Sequence, residues 1–279
     1  MAFYADTLGL SDSAFTLLRD LIHERAGLFY DNGKSDMLSD KLSPLVIERG
    51  FSSFLDYYYL LKYDAGAERE WKRVMDALSV QETFFWREMD QVRALVDVIV
   101  PEYFSARPAQ TLRIWSAASA TGEEPLSIAI ALNEAGWFDR MPIEIYATDA
   151  STAAIDKARL GLYRERSFRS LPARLREKYF SEEKGGSRIA QAIHARVKWC
   201  TANLMDADAV RTFAASPVIF CRNVFIYFSD DAIRKTVGQF AELMPEPGYL
   251  FVAASESLLR LTTKLQFQEI GGAFVYVKS

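Results

Sequence analysis

The sequence has very few of the side chains from which metal centres, disulfide frameworks and hydrolase triads are built. It contains two cysteines, Cys200 and Cys221, and two histidines, His23 and His194. Two cysteines are too few for a disulfide framework, and the four residues show no recognised zinc-ligand spacing. Neither histidine lies near a G-x-S-x-G nucleophile motif. We therefore expect no metal site and no Ser-His-Asp hydrolase.

The chain also lacks a strong net charge and a long hydrophobic run. Its formal net charge is −4, which gives no chain-wide electrostatic reason to expect nucleic acid or an anionic membrane as a partner. No apolar run approaches the length of about 18 residues that crosses a bilayer, and the first residues lack the basic-then-apolar layout of a secretion signal. The cytoplasm is the expected location.

Residues 1–80 have the periodicity of a small helical domain. Apolar residues three or four positions apart predict a first helix that begins near Asp12 and ends at Gly27. A second helix is expected at about 34–49, and Pro44 is expected to kink or shorten it. Two further helices are expected, one around residues 54–61 and one over about 68–78.

From residue 91 to the end, short apolar runs alternate with helical stretches, which predicts an α/β domain with a doubly wound, mostly parallel, Rossmann-like sheet. Strand-like runs over 267–270 and 273–277 flank Gly271-Gly272 and predict a terminal antiparallel hairpin. Such a hairpin is expected of methyltransferase folds rather than of dinucleotide dehydrogenases.

Residues 81–90 would link the two domains. Residues 164–200 look like an insertion, either a solvated loop or a protein-docking element.

One segment passes from a predicted strand into a predicted helix through small residues, with the sequence IWSAASATGEEPLS over residues 114–127. Small residues let the backbone approach a ligand, and a helix N-terminus offers free N–H groups. Gly122 is its only glycine, so it is no G-x-G-x-x-G pyrophosphate loop. Glu123 and Glu124 would repel a pyrophosphate but suit a cation, such as the amino group or sulfonium of a methionine moiety. Helix capping is the alternative.

Other polar groups stand at the ends of predicted strands. Asp149 ends the strand after the small-residue turn, where a carboxylate can accept both ribose hydroxyls of a nucleoside; alternatively it caps the next helix. Arg222 and Asn223 end the strand at 217–221, and Tyr227 follows four residues later. Because ligands of open α/β sheets bind at the carboxyl ends of the strands, these residues are candidates for one site. A structural role for Arg222 and Asn223 is the alternative.

These segments together resemble the CheR-type chemotaxis receptor (protein-glutamate O-) methyltransferases. The resemblance runs from about Phe15 to the end and rests on the GEEPLS turn, the ATD strand end and CRNVFIYF, together with QETFFWR at 81–87 and YLFVAASES at 249–257. The family pairs a small helical domain with an α/β domain that binds S-adenosylmethionine (SAM) and carries a small β-subdomain. Its members esterify glutamates in receptor signalling helices and release S-adenosylhomocysteine (SAH).

The resemblance implies a role for each matching residue. The implied catalytic residues are Arg87, Arg222 and Tyr227. The implied cofactor contacts are Gln81, Thr83 and Arg87 at the methionine end, Glu123 or Glu124 beside its amino acid portion, Asp149 at the ribose, Asn203 and Leu204 at the adenine, and Arg222 and Asn223 at the transfer site. The sequence does not distinguish Glu123 from Glu124.

The implied reaction needs no general base, because a glutamate side chain with a pKa of about 4.3 is already ionised at neutral pH. The implied partners are the cytoplasmic helical region of chemoreceptors or similar signalling proteins, and a receptor C-terminal peptide. The alternative function is a non-catalytic module that senses the cofactor or scaffolds signalling proteins. Lys41 stands where the family has a second-helix arginine, and residues 1–76 hold 9 basic and 13 acidic side chains, which does not favour a basic docking face.

Overall fold

Four helices form the N-terminal domain in the computed structural model, which describes residues 8–279. They are α1 (Asp12–Ala26), α2 (Ser35–Glu48), α3 (Phe54–Tyr63) and α4 (Ala67–Leu78). All four predicted helices are present. Gly27 ends α1 with a φ of 74°, a left-handed conformation that glycine adopts without steric cost. The buried faces, which include Leu18, Leu42 and Tyr57, share one hydrophobic core.

Of the two effects expected of Pro44, a shorter second helix was wrong, and a kink stays a prediction. Helix α2 continues through Pro44 to Glu48. Pro44 is exposed, so the carbonyl of residue 40 that loses its helical N–H partner can face water. Nearby, Ser43 Oγ donates to Ser39 O at 2.7 Å on the buried face.

The rest of the chain is built on two sheets. The ten strands are β1 (Leu112–Ala117), β2 (Ile143–Asp149), β3 (Leu162–Tyr163), β4 (Phe180–Glu183), β5 (Gly186–Ile189), β6 (Val197–Thr201), β7 (Val218–Phe220), β8 (Gly248–Phe251), β9 (Gln266–Ile270) and β10 (Ala273–Lys278). Seven of them form one sheet in the order β6-β2-β1-β7-β8-β10-β9. Its first five strands are parallel, and β10 pairs antiparallel with β8 and β9. The doubly wound sheet and terminal hairpin are confirmed.

Helices cover both faces of the large sheet. The helices of this part of the chain are α5 (Met89–Ala94), α6 (Val100–Ala106), α7 (Glu123–Glu134), α8 (Trp137–Arg140), α9 (Thr152–Leu160), α10 (Ala173–Tyr179), α11 (Gln191–His194), α12 (Ala207–Ala214) and α13 (Asp230–Leu243). A π-helical turn joins α5 to α6. One core contains side chains of α5 to α7 and the small sheet, and the core on the opposite face contains side chains of α12 and α13. No helix within residues 8–279 is both long and apolar enough to cross a membrane.

The strands of the inserted segment do not coincide with the predicted limits of 164–200. Its three strands, β3 to β5, form an antiparallel sheet between Leu162 and Ile189. The run Val197–Thr201 instead forms β6, which pairs in parallel with β2 at the edge of the large sheet. The insertion therefore begins within strand β3 and ends before β6.

The two domains meet through specific polar contacts. Asp76 in α4 accepts hydrogen bonds from Ser151 Oγ at 2.7 Å and Ala153 N at 3.0 Å, so it helps to cap α9 from outside. On the other side, Phe29 N donates to Tyr227 O at 2.8 Å. These contacts place the helical domain over the carboxyl ends of the parallel strands.

Candidate active site

A cavity opens at the carboxyl ends of the central strands, where the helical domain and residues 79–87 cover the sheet. Its volume is about 470 Å³, which is in the range of small-molecule sites, roughly 300–1,000 Å³. Ten of the eleven predicted site residues line it: Gln81, Thr83, Arg87, Glu124, Asp149, Asn203, Leu204, Arg222, Asn223 and Tyr227. Glu123 is the exception.

The turn between β1 and α7 is fastened to the end of β2. Ser119 N donates to Thr148 O at 2.8 Å, and Ala120 N donates to the Asp149 carboxylate at 2.9 Å. Gly122 follows with a φ of 96°, and a Cβ there would lie 2.7 Å from the Trp199 ring. Both the conformation and the space therefore require glycine at this position.

Glu124 is the carboxylate of the pair that faces the cavity. Its Oε1 accepts from Ser116 Oγ at 2.7 Å, and its Oε2 accepts from Arg222 Nε at 2.7 Å. The side chain is 13% exposed, so the carboxylate is fixed by two partners while it remains accessible from the cavity. This arrangement suits a cationic ligand group.

Glu123 points the other way, into the inserted segment. Its carboxylate accepts from Thr121 Oγ1 at 2.6 Å and from Ser167 Oγ at 2.9 Å. Burial raises the pKa of Glu123. Successive helical residues are rotated by about 100°, so the two adjacent side chains at this helix start point in different directions. The hydrogen bond from Ser167 therefore links Glu123, at the end of the turn, to the insertion. The prediction that Glu123 borders the ligand site does not match this geometry.

Asp149 holds the turn and also lines the cavity. Each carboxylate oxygen accepts one backbone N–H, from Ser151 at 2.8 Å and from Ala120 at 2.9 Å. The alternative that Asp149 is the N-cap of α9 was wrong, because Ser151 is that N-cap and its Oγ accepts from Ala154 N at 3.1 Å. Burial raises the pKa of Asp149. Each oxygen keeps a second lone pair, so the carboxylate can still accept from ribose hydroxyls.

Arg222 is a buried side chain with several hydrogen-bond partners rather than a free cation at the strand end. Four of its five N–H donors are engaged: one to Glu124, one to Gln91 Oε1 at 3.1 Å, and two to the carbonyls of Arg87 and Glu88, each at 3.1 Å. The side chain is 3% exposed. Arg222 therefore fixes the main chain that carries Arg87.

Backbone strain is concentrated around the cavity. Within residues 8–279, five non-glycine residues have positive φ: Trp86, Glu88, Ala118, Ala120 and Asn223. Three of them line the cavity, and the other two flank Arg87. Each such residue costs on the order of 1 kcal/mol or more and persists only where its surroundings hold it. Side-chain hydrogen bonds to the backbone hold four of these five residues: Asp149 binds Ala120, Arg222 binds Glu88, Glu256 binds Asn223 and Ser127 binds Trp86.

Two family models match the chain. A model described as the CheR methyltransferase, SAM binding domain, matches residues 81–273, and one described as the CheR methyltransferase, all-alpha domain, matches residues 13–79. The chain belongs to the CheR methyltransferase family. It is accordingly a SAM-dependent methyltransferase of the chemotaxis class.

Curated relatives agree with this assignment. The chain is 35% identical to chemotaxis protein methyltransferase 2 of Vibrio cholerae, over 91% of this chain and 88% of the relative. It is 32% identical to a chemotaxis protein methyltransferase of Klebsiella aerogenes, over 94% and 89%. It is 30% identical to the chemotaxis protein methyltransferase of Escherichia coli, over 98% and 92%.

The chemical groups around the cavity fit the cofactor of the CheR family. Glu124 and Asp149 offer carboxylates for an ammonium or sulfonium group and for ribose hydroxyls. Ser119 Oγ, on the turn between them, is buried and has no hydrogen-bond partner within residues 8–279. A buried hydroxyl normally has a partner, so this one is suited to a polar ligand atom.

Two predicted contacts have side chains that are already engaged. Gln81 accepts from Lys157 Nζ at 2.8 Å and donates to Ser151 Oγ at 3.5 Å, which directs it toward α9 rather than toward Arg87. Asn203 Nδ2 donates to Arg25 O at 2.7 Å and thereby joins the two domains. Gln81 and Asn203 could contact a ligand only through their backbone or through side-chain atoms that are not engaged, and such contacts stay predictions. The contacts expected of Thr83 and Leu204 also stay predictions.

Glu256 is a site residue that sequence reasoning did not select, although its segment was part of the family resemblance. Its Oε2 accepts from Asn223 N at 3.0 Å and Ala253 N at 2.8 Å, and its Oε1 accepts from Phe225 N at 2.8 Å and Ile226 N at 3.3 Å. Burial raises the pKa of Glu256, and the backbone donors oppose that rise. This carboxylate shapes the loop that leads to Tyr227. Its position just after a predicted strand was the available signal.

The helical domain holds Tyr227 from the other side. Leu28 and Phe228 form an isolated antiparallel bridge, beside the hydrogen bond from Phe29 N to Tyr227 O. His23 Nε2 lies 2.7 Å from Ser229 Oγ, which also accepts from the N-terminus of α13. Tyr227 is therefore placed by contacts from both domains.

Proposed function

We propose that this methyltransferase transfers the methyl group of SAM to glutamate side chains of chemoreceptors, in the cytoplasm, and forms glutamate methyl esters. The observation that carries the proposal is that Arg87 and Tyr227 line the same cavity as Glu124 and Asp149. One group of side chains suits an acceptor carboxylate, and the other suits the cofactor. Their meeting in one cavity is what direct transfer requires.

The cofactor would be held by groups on the turn between β1 and α7 and at the ends of neighbouring strands. Glu124 would bind the amino group of the methionine portion, and Asp149 would bind the ribose hydroxyls. Ser119 Oγ would donate a hydrogen bond to an oxygen atom of the cofactor that lies between these two groups. Leu204, which is buried beside the cavity, would flank the adenine. When bound, SAM supplies a methyl group on a positively charged sulfur.

The acceptor carboxylate would be oriented by Arg87 and Tyr227. Arg87 contacts its protein acceptors only at long range within the described residues, 3.4 Å to Glu82 O and 3.7 Å to Glu88 Oε1, so its donors remain available for a substrate. No general base is needed, because the acceptor is ionised at neutral pH. Arg222 has one donor left and acts through Arg87 and Glu124, so we assign it a positioning role rather than the catalytic role first expected.

A non-catalytic cofactor sensor or scaffold is less well supported. Such a module would need the cofactor side of the cavity but not a guanidinium and a phenol beside it. Arg87 and Tyr227, at 28% and 36% exposure, are both reachable from the cavity. The partners under this proposal are the cytoplasmic helices of chemoreceptors, with no nucleic acid. Binding of a receptor C-terminal peptide at the small sheet β3 to β5 remains a prediction.

Transfer of tritiated methyl groups from SAM to purified cytoplasmic chemoreceptor fragments tests the proposal. Methyl esters hydrolyse in alkali and release volatile methanol, whereas N-methyl groups do not. We expect alkali-labile label, and its loss in the Arg87→Ala variant. Label that resists alkali would overturn the glutamate assignment.

Cofactor binding is tested separately by calorimetric titration with SAH. Asp149→Ala is expected to abolish binding, because it removes both a ligand contact and the anchor of Ala120. Unchanged SAH affinity in that variant would contradict the assigned site. Glu144→Ala, at the start of β2, is a control that leaves the cavity untouched.

A further inference from the structure

Large apolar side chains surround the mouth of the cavity. Phe29, Met37, Val80 and Ile226 all line it, and each is about half exposed, at 51%, 50%, 48% and 52%. They come from four separate segments: the loop after α1, helix α2, the segment after α4 and the loop after β7. We call these four residues the apolar rim. Tyr227, at 36% exposure, lines the same cavity.

The apolar rim has no evident purpose in folding. Exposed apolar side chains that occur singly need no explanation, but several around one opening indicate a binding surface. The four residues leave about half of their surface in water, although polar side chains would fit the same positions. Their exposed surface is therefore available to a partner.

The location of the rim identifies its occupant. The inner wall of the cavity carries the carboxylates suited to the cofactor, whereas the rim lies where the cavity meets solvent. An acceptor side chain that reaches Arg87 and Tyr227 from outside enters the cavity that the four rim residues also line. The chain segment that bears this side chain is then close enough to contact the rim.

Charged groups at the mouth are already paired within the protein. Lys34 Nζ lies 3.2 Å from Asp31, and Glu82 lies 3.6 Å from Arg169. Lys41 Nζ donates to the carbonyls of residues 77 and 78 at 3.3 and 3.2 Å. These two hydrogen bonds cap the C-terminal end of α4. Among the described residues that line the opening, Lys34 and Lys41 therefore already have partners, and neither offers an unpaired cation for a basic docking face.

We propose that the apolar rim binds the part of the acceptor protein that surrounds the methylated glutamate, and that this part presents apolar side chains. The inference rests on the proposed function, because it requires a protein acceptor. Removal of apolar surface from water would supply the affinity. A basic docking face is then unnecessary, which accounts for an acidic N-terminal domain in a methyltransferase of this kind.

The test uses a cytoplasmic chemoreceptor fragment that the wild-type enzyme methylates. Phe29→Ser and Met37→Ser should each raise the KM for this fragment about fivefold, since each removes a contact of roughly half an apolar side chain. The Kd of SAH should stay within about twofold of the wild-type value, since neither residue belongs to the cofactor side. Phe274→Ser is the matched control, because Phe274 is 57% exposed on β10 and does not line the cavity.

A second arm varies the fragment. Replacing an apolar residue beside the methylated glutamate of the fragment by serine should raise the KM of the wild-type enzyme. The same change in the fragment should raise the KM of the Phe29→Ser enzyme by less, because the substitution in the fragment and the substitution in the enzyme remove the same contact. The KM should also change little between about 50 and 300 mM salt.

An unchanged KM in both rim variants, an equal rise in Phe274→Ser, or a steep salt dependence would overturn the inference. These results differ from failure of the proposed function, in which the wild-type enzyme would place no alkali-labile methyl group on any fragment.

Discussion

Arg222 Nε donates to Glu124 Oε2 at 2.7 Å, and this ion pair joins the end of β7 to the first turn of α7 at the cavity wall. The same guanidinium holds the carbonyl oxygens of Arg87 and Glu88. One buried side chain thus fixes both the Glu124 carboxylate and the segment that carries Arg87. Under the proposed function, the relative position of the cofactor and the acceptor would depend on it.

Replacing Arg222 by Met should lower the free energy of unfolding by about 3–5 kcal/mol, because Glu124 is left largely buried without its cation. The double variant Arg222→Met/Glu124→Gln should recover part of this loss, since the unpaired charge is removed. Urea denaturation of the wild type, the single variants Arg222→Met and Glu124→Gln, and the double variant measures the coupling. Strictly additive losses would show that the pair does not act as a unit.

Glu123 and Glu124 are adjacent, but the same substitution should change SAH affinity at Glu124 and not at Glu123. Glu124→Gln is expected to weaken SAH binding about tenfold, because it removes the charge that faces the cavity. Glu123→Gln should leave SAH affinity unchanged, since its carboxylate bonds to Thr121 and Ser167 instead. Calorimetric titration of both variants distinguishes the two carboxylates. Weakened binding in Glu123→Gln would contradict its placement away from the ligand.

The stability of the Glu123→Gln variant should depend on pH in a defined direction. Burial raises the pKa of Glu123 above its ordinary value of 4.5, so the ionised side chain opposes folding. At low pH the side chain is protonated in both the folded and the unfolded state, so its ionisation does not affect the free energy of unfolding. As the pH rises through the pKa of the folded state, the free energy of unfolding of the wild type falls relative to that of the variant. Unfolding free energies measured from about pH 4 to pH 8 should therefore diverge in favour of Glu123→Gln.

Local patterns predicted the elements and part of the cavity lining, and the family resemblance added further lining residues, but neither predicted the partners of each side chain. Gly122 and Asp149 were recognisable because small residues and a strand-end carboxylate are local signals. The choice between Glu123 and Glu124 depends on the rotation at which α7 starts. The structural role of Arg222 depends on Gln91 and Glu88, which are more than 130 positions away in the chain. Non-local contacts of this kind are fixed only by the tertiary fold.

Ser119 and Ser216 provide a matched pair of buried serines whose hydroxyls lack a partner within the described residues. Ser119 lines the cavity and Ser216 does not. Ser119→Ala should weaken SAH binding about fivefold, which corresponds to one hydrogen bond of about 1 kcal/mol. It should not destabilise the ligand-free protein, because no protein hydrogen bond is lost. Ser216→Ala should change neither SAH affinity nor the increase in melting temperature that SAH produces. Equal affinities in all three proteins would exclude a contact from Ser119.

Glu256 should control turnover through the loop that leads to Tyr227. In Glu256→Gln an amide group replaces one carboxylate oxygen and faces two backbone N–H donors, so two of the four hydrogen bonds are lost. We expect kcat to fall about tenfold or more, while the Kd of SAH changes less than about threefold. Glu269→Gln, on the exposed edge strand β9, is the control substitution.

A double-variant cycle shows whether Glu256 acts through Tyr227. Tyr227→Phe removes only the hydroxyl, so it should lower kcat with little change in SAH affinity. If the role of Glu256 is to place that hydroxyl, adding Glu256→Gln to Tyr227→Phe should lower kcat by much less than it does in the wild type. Full additivity in kcat, with the same loss of melting temperature in both backgrounds, would instead assign Glu256 a purely structural role. The two explanations therefore predict different values of one measured quantity, the kcat of the double variant.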